Sequence, residues 1–344
     1  MNGKVVENMW ETTMQKPKKR ILALDGGGIK GAFAASFLQT IEENTGKRIA
    51  DHFDLIAGTS TGGIIALGLG LGMSAKEILQ FYVNDGPRIF GQQNPLDEYG
   101  WLSRCASKFE WMLNRGKQIA APKYDPSQLK KALERAFQSK RLGDSSVRLV
   151  IPAYHADKED VYVFKTKHHQ RLQMDWKESA VNVALATAAA PTYFQAHPMP
   201  SGAPLIDGGI WANNPAGLAA VEARSVLGWK DDDLYIVRLG CTEEVLDIPV
   251  ESGYAGLLMK STALFMQGQS RGADGTAMLL SDHRQEAPRF FPFQPKVSTG
   301  KFSLDGVEMI DRLRGLGAAH GREALPLFQK HFLEDKVEKF YPIS

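Results

Sequence analysis

Cysteine is almost missing: Cys105 and Cys241 are the only two in 344 residues. Two thiols cannot build the disulfide framework of a small secreted domain, so a reducing, cytoplasmic setting is expected. Long apolar runs are missing too. The longest uncharged one, Gly62 to Met73, is glycine-rich and well short of the roughly 20 residues that span a bilayer. Residues 1–19 are polar, with no apolar h-region, which argues against a secretory signal and predicts a flexible lead-in. Neither charge sign dominates: 41 Lys and Arg face 39 Asp and Glu, for a net charge of +2. No overall field would draw a nucleic acid, and none is expected as a partner. The local cluster Lys16, Lys18, Lys19 and Arg20 reads as a solvated lead-in first and a contact for an anionic surface second. No His, Cys and carboxylate group has ligand spacing, so no metal is expected. Repeats and low-complexity tracts are absent.

What is present is an ordinary globular composition, 43% apolar and 23% charged, in a chain long enough for a large core. Arg20 to Leu24 reads as a buried strand and Ala32 to Glu43 as a helix. Phe53 to Ala57 is the next strand, followed by a helix over Thr61 to Leu71. Ser74-Ala75-Lys76-Glu77 is a capping box opening a helix to about Asn84. Asp125-Pro126 caps another, to about Ser139. Val147 to Ala153 and Asp160 to Thr166 alternate as strands, Ser179 to Ala189 is helical, and Pro204 to Ile206 is a short strand ending at Asp207. Asn214-Pro215 caps a helix ending near Gly228, and Leu234 to Leu239 is a strand. This alternation predicts an α/β fold with a mainly parallel sheet covered on both faces. Residues 20–344 are expected to form a single domain. Gly86 to Lys123 is loop-rich. Within it Trp101, Cys105, Phe109, Met112 and Leu113 share one helical face, which suits a core helix, a membrane-touching face or a lid insertion over 86–123. Pro288 to Phe293 reads as a packed aromatic loop, and residues 241–344 as a helical part closing over the sheet.

Sites in such sheets gather at the carboxyl ends of strands. Asp25, Ser60 and Asp207 each fall at one. Ser60 sits in Gly58-Thr59-Ser60-Thr61-Gly62-Gly63, a strand-to-helix turn of the G-x-S-x-G kind. Glycine neighbours such as Gly58 and Gly62 permit the sharp backbone and let an acyl carbon approach. The helix after Ser60 aims its positive N-terminal end at the same point, favouring an oxyanion there. Gly26, Gly27 and Gly28, between the first strand and helix, can turn successive N–H groups to one point and are the expected oxyanion hole. Lys30 either steadies this loop or faces solvent, and Gly31 closes the motif. Asp207, followed by Gly208 and Gly209, can approach another backbone closely and is the expected base, provided burial raises its proton affinity.

Two other enzymes fit parts of this pattern. Gly26, Gly28 and Gly31 also satisfy G-x-G-x-x-G, the dinucleotide fingerprint of an oxidoreductase. That reading needs an acid ending the second strand, where Gly58-Thr59-Ser60 stands instead. The order Ser–Asp–His also permits an α/β-hydrolase-type esterase using His283 or His320. No histidine lies in a site-like setting, and His168-His169 reads as an exposed turn.

Asp25-Gly26-Gly27-Gly28-Ile29-Lys30-Gly31, the Ser60 motif, Asp207-Gly208-Gly209, Ala186 to Phe194 and Asn213-Asn214-Pro215 together resemble the patatin-like phospholipases over about Arg20 to Leu239. Lys30 stands where that family usually has Arg, so the charge is kept. The resemblance implies a three-layer α/β/α fold and hydrolysis of glycerophospholipid acyl esters at a membrane surface. It also implies a Ser60–Asp207 dyad without histidine and no cofactor. The compact length and the stretch Asp51 to Met73 further resemble a bacterial subgroup. Its members are anti-phage effectors, switched on by a cyclic dinucleotide and then degrading the cell's own membrane. On that footing the protein would be cytoplasmic, acting at the inner face of the membrane, with the nucleotide's site and the oligomeric state left unassigned.

Overall fold

A computed structural model describes residues 18–91, 122–244, 254–282, 288–298 and 302–343. Its centre is an eight-stranded sheet. Five strands run parallel, in the order β9 (Phe290–Phe293), β7 (Leu234–Leu239), β1 (Lys19–Leu24), β2 (Leu55–Gly58) and β3 (Arg148–His155). At the β3 margin β4 (Asp160–Lys165), β6 (Pro204–Asp207) and β5 (His197–Pro198) pair antiparallel. A small parallel pair, β8 (Glu243–Glu244) and β10 (Lys296–Val297), stands apart.

The strands alternate between two cores, as a pleated sheet covered on both faces must. Leu22, Leu24, Ile56, Leu149, Ile151 and Val237 face the larger one. It is covered by α1 (Gly31–Thr45), α2 (Thr61–Gly70), α3 (Ala75–Gly91), α4 (Pro126–Phe137), α5 (Ala180–Thr187) and, further along the chain, α9 (Ile310–His331). Ile21, Ala23, Leu55, Ala57, Val150 and Ile236 face the smaller core, under α7 (Ala216–Ser225) and α8 (Tyr254–Asp282). The short helix α6 (Gly209–Ala212) follows β6 directly. The result is the expected three-layer α/β/α arrangement.

The helix signals read from sequence act as foreseen. Ser74 Oγ and Glu77 exchange capping hydrogen bonds, Asp125 accepts from the Ser127 amide at 2.9 Å, and Asn214 Oδ1 accepts from the Ala216 amide at 3.0 Å. Helix α3 runs past Asn84 to Gly91 with Pro87 inside it. Residues 86–91 of the lid expectation therefore extend that helix, and Trp101, Cys105, Phe109, Met112 and Leu113 lie outside the described residues.

Two expectations are corrected. Phe290 to Phe293 is a strand of the main sheet, so residues 241–344 are not purely helical. As the edge strand it needs ladder donors on one side only, which tolerates Pro292. His168 is buried, not in an exposed turn: its ring bonds Thr166 Oγ1 and Glu222 Oε1, both at 2.9 Å, beneath α7.

Candidate active site

Register on β3 brings Ser60 and Asp207 together. Val150 pairs with Ala57 of β2 and Lys165 of β4, while Ala153 pairs with Asp207 of β6 and Tyr162 of β4. A strand residue has one neighbour per edge, so β4 occupies one edge of β3 while β2 and β6 share the other, end to end. β2 is parallel to β3 and β6 antiparallel, so their carboxyl ends face each other across the gap. Ser60 lies two residues beyond the end of one and Asp207 ends the other. They are 147 positions apart in the chain, and the Ser60 side chain lies close enough to the Asp207 carboxyl to favour its charged form.

Ser60 holds φ 54° and ψ −121°, a left-handed conformation that side chains rarely adopt. Its surroundings enforce it. The Ser60 amide donates to Thr187 Oγ1 at 3.0 Å, and that hydroxyl donates to the Pro152 carbonyl at 2.6 Å. Thr59 Oγ1 donates to the Ala212 carbonyl at 2.6 Å. Gly58 and Gly62 are obligatory: a Cβ on Gly58 would stand 2.2 Å from the Gly62 carbonyl, and one on Gly62 equally close to that of Leu24. Helix α2 starts at the next residue, Thr61, with its N-terminal amides toward the site.

Asp207 is buried, and burial pushes its carboxyl up to about 6 from an ordinary 3.8. The Ser60 side chain and a hydrogen bond from the Gly209 amide, at 2.7 Å, pull it partly back. Gly208 permits the turn, since a Cβ there would lie 2.4 Å from the Pro152 carbonyl. A carboxyl poised near 6 can take up and return a proton at neutral pH.

The glycine loop needs one correction as an oxyanion hole. The Gly26 amide donates to the Asn213 carbonyl at 3.0 Å, so it is spent on structure. Gly27 and Gly28, which line the cavity, remain as the candidate donors. Gly28 has φ +58°, and a Cβ on it would sit 2.2 Å from the Leu304 carbonyl. Lys30 is buried rather than solvent-facing, and Gly31 lets α1 approach Thr61 and Tyr82.

Behind the loop lies a buried ionic knot that motif reading missed. Arg238 of β7 makes a forked contact with Asp25, the residue that starts the glycine loop. Its remaining nitrogen, Nη1, donates to Asp274 at 2.8 Å, and Nη2, already on Asp25, also donates to Ser270 Oγ at 2.8 Å; both partners are on α8. Asn214 Nδ2 adds a bond to Asp274 at 2.7 Å. The guanidinium thus ties β7, the glycine loop and α8 together. Removing it leaves two carboxylates facing each other, so Arg238→Met is expected to destabilise the fold by about 3–5 kcal/mol. Urea denaturation measures this, and a loss below about 1 kcal/mol would show the knot to be dispensable.

Ser60, Asp207, Gly27 and Gly28 open into one cavity of about 610 Å³. Its walls are mainly apolar: Ile64, Phe81, Ile89, Phe90, Leu129 and Phe194. Ile210 and Phe265 also line it and are 51% and 72% exposed. Among the described residues no histidine lines this cavity. His320 lies on a second cavity, against the Phe33 ring, and His283 is outside the described residues. No cluster of possible metal ligands occurs among the described residues, and no described helix is long and apolar enough to cross a membrane.

A model of the patatin-like phospholipase family matches residues 22–220, more than half of the chain. The chain belongs to the patatin-like phospholipase family. The match takes in the glycine loop, the Ser60 elbow and Asp207. Among curated relatives, a cGAMP-activated phospholipase of Pseudomonas aeruginosa is 37% identical over 218 residues, 63% of this patatin-like chain and 60% of that protein. One from Escherichia coli is 33% identical over 246 residues, 68% of the chain and 65% of the relative. One from Vibrio cholerae is 31% identical over 287 residues, 78% of each. The matched region therefore spans under two thirds of the first two relatives.

Proposed function

We propose that this patatin-like chain hydrolyses acyl esters of membrane glycerophospholipids with Ser60 as nucleophile and Asp207 as its proton acceptor, and that a cyclic dinucleotide switches it on in anti-phage defence. The observation that carries the reading is the meeting of these two side chains, close enough for the serine to lower the carboxyl's pKa, in the wall of one mainly apolar cavity.

As Ser60 Oγ attacks the ester carbon, its proton passes to Asp207 and the carbonyl oxygen becomes an oxyanion. The amides of Gly27 and Gly28, with the N-terminal end of α2, receive that charge. Collapse of the intermediate breaks the ester C–O bond, and the departing lysolipid oxygen takes the proton from Asp207. Water then attacks the acyl-enzyme, Asp207 accepts its proton, and fatty acid leaves as Ser60 is re-protonated. The exposed Ile210 and Phe265 suit a cavity that takes its substrate from a bilayer surface, at the inner face of the membrane. The nucleotide switch draws on the relatives named as cGAMP-activated.

The test is fatty-acid release from phosphatidylethanolamine and phosphatidylglycerol vesicles, with and without cGAMP. Release that cGAMP raises at least tenfold is expected. No release under any condition would refute the hydrolase reading, and constitutive release indifferent to every cyclic dinucleotide would refute the switch.

A further inference from the structure

Helix α9 has two differently used faces. Leu313, Gly317, Gly321, Ala324 and Phe328 are buried, and the two glycines let α9 lie directly on α1: a Cβ on Gly317 would stand 2.3 Å from the Phe33 carbonyl. Arg312, Leu316 and His320 recur every four residues on another face. That face lines the second cavity, of about 270 Å³, together with Lys296 of β10 and the buried ring of Phe302. The Arg312 guanidinium stands 6.0 Å from the Phe302 ring centroid. Among the described residues no carboxylate lines this cavity, and His320 leans outward to Glu323 at 3.4 Å. Two cations and an imidazole around an apolar wall are the chemistry that suits a phosphate carrying a flat, partly apolar group.

The cavity is wired to the active site. Two residues beyond Phe302, the Leu304 carbonyl accepts the Ile29 amide at 2.8 Å and presses against Gly28, and Leu304 itself lines the catalytic cavity. The next residue, Asp305, accepts hydrogen bonds from Lys123 Nζ at 2.5 Å and Tyr124 OH at 2.7 Å. Residues 302–305 thus form a short strap. One end belongs to the basic cavity and the other holds the glycine loop that would receive the oxyanion.

The geometry points to this second cavity as the seat of the activating nucleotide: one nucleotide unit of a cyclic dinucleotide, its phosphate between Lys296 and Arg312 and its base against Phe302 and Leu316. The inference rests on the nucleotide-switch reading above. At about 270 Å³ the cavity falls just below the roughly 300–1,000 Å³ of ordinary ligand pockets, so it takes half of such a ligand and leaves the rest at the surface. Binding there sets the Phe302–Asp305 strap, and through Leu304 the position of Gly28. A ligand that prefers one strap position shifts the glycine loop with it.

The decisive experiment titrates cGAMP into the full chain by calorimetry and measures vesicle hydrolysis in parallel. The samples are wild type, the double variant Lys296→Gln/Arg312→Gln, and Arg322→Gln on the exposed side of the same helix. Melting temperatures check that each variant is folded. Each lost charge-assisted contact weakens binding about tenfold, so the double variant is expected to bind about a hundredfold more weakly and to lose activation at cGAMP concentrations that saturate wild type. Arg322→Gln is expected to match wild type in both assays. AMP should compete for the site without activating, and inorganic phosphate should compete more weakly still.

A folded double variant that binds and responds like wild type would place the nucleotide elsewhere and leave the switch standing. Phosphate alone activating as well as cGAMP would overturn the nucleotide assignment. A wild-type enzyme that hydrolyses vesicles yet binds no cyclic dinucleotide would remove the switch and this site together.

Discussion

Ser60→Ala is expected to lower fatty-acid release by about a millionfold, the order of loss seen when a serine nucleophile is removed, while the chain stays folded. The acceptor beside the hydroxyl at the reacting centre is Asp207. The backbone around Ser60 is held independently by the Thr187 hydroxyl and by Thr59. Ser60→Gly separates chemistry from strain. It should be equally inactive, yet more stable than Ser60→Ala by about 1 kcal/mol, because glycine adopts φ 54° without steric cost. Vesicle hydrolysis and urea denaturation of both variants measure the pair of effects. An alanine variant keeping even a few per cent of wild-type turnover would end the role given to Ser60.

Asp207→Asn is expected to abolish hydrolysis and, at neutral pH, to stabilise the protein. The sign follows from where the carboxyl titrates. Burial raises it to about 6 in the folded chain, against 3.8 as its ordinary value. Below pH 3.8 it is protonated in both states and costs nothing. Between pH 3.8 and 6 the unfolded chain releases the proton first, so wild-type stability falls as pH rises. Above 6 the penalty is complete, about 3 kcal/mol. Asparagine carries no charge to desolvate, so its advantage should be largest above pH 7 and vanish near pH 3.5. The same titration gives wild-type kcat/KM a limb that rises through about pH 6, as the base loses its proton. Equal stability gains at both pH extremes, or an activity limb below pH 5, would contradict this origin of the effect.

The active-site pieces were legible because each is a local instruction. Three glycines after a strand, a serine between glycines at a strand-to-helix turn, and an aspartate before Gly208-Gly209 all declare backbone geometry within a few residues. The caps at Ser74, Asp125 and Asn214 are local in the same way. The misreadings share the opposite character. Phe290 to Phe293 became a strand because β7 offered an open parallel edge, which nothing in those four residues announces. His168 was drawn into the protein by Glu222, 54 positions on. Gly26 has the same local sequence context as Gly27 and Gly28, and only the carbonyl of Asn213, brought alongside it by the turn after Asp207, takes its amide out of the candidate oxyanion donors.

By itself the sequence determined the layered α/β architecture, the strand-end positions of Asp25, Ser60 and Asp207, and the reaction class to which they point. Periodicity, capping and glycine spacing act over a few residues and survive in any context. Tertiary structure alone decided that Ser60 and Asp207 meet, because β2 and β6 share one edge of β3 head to head. It also decided that Arg238 bridges Asp25 to Asp274 and that Lys296, Phe302 and Arg312 surround one cavity. Those pairings come from register and helix packing, and no local spacing encodes which distant side chains a sheet edge or a helix face will bring together.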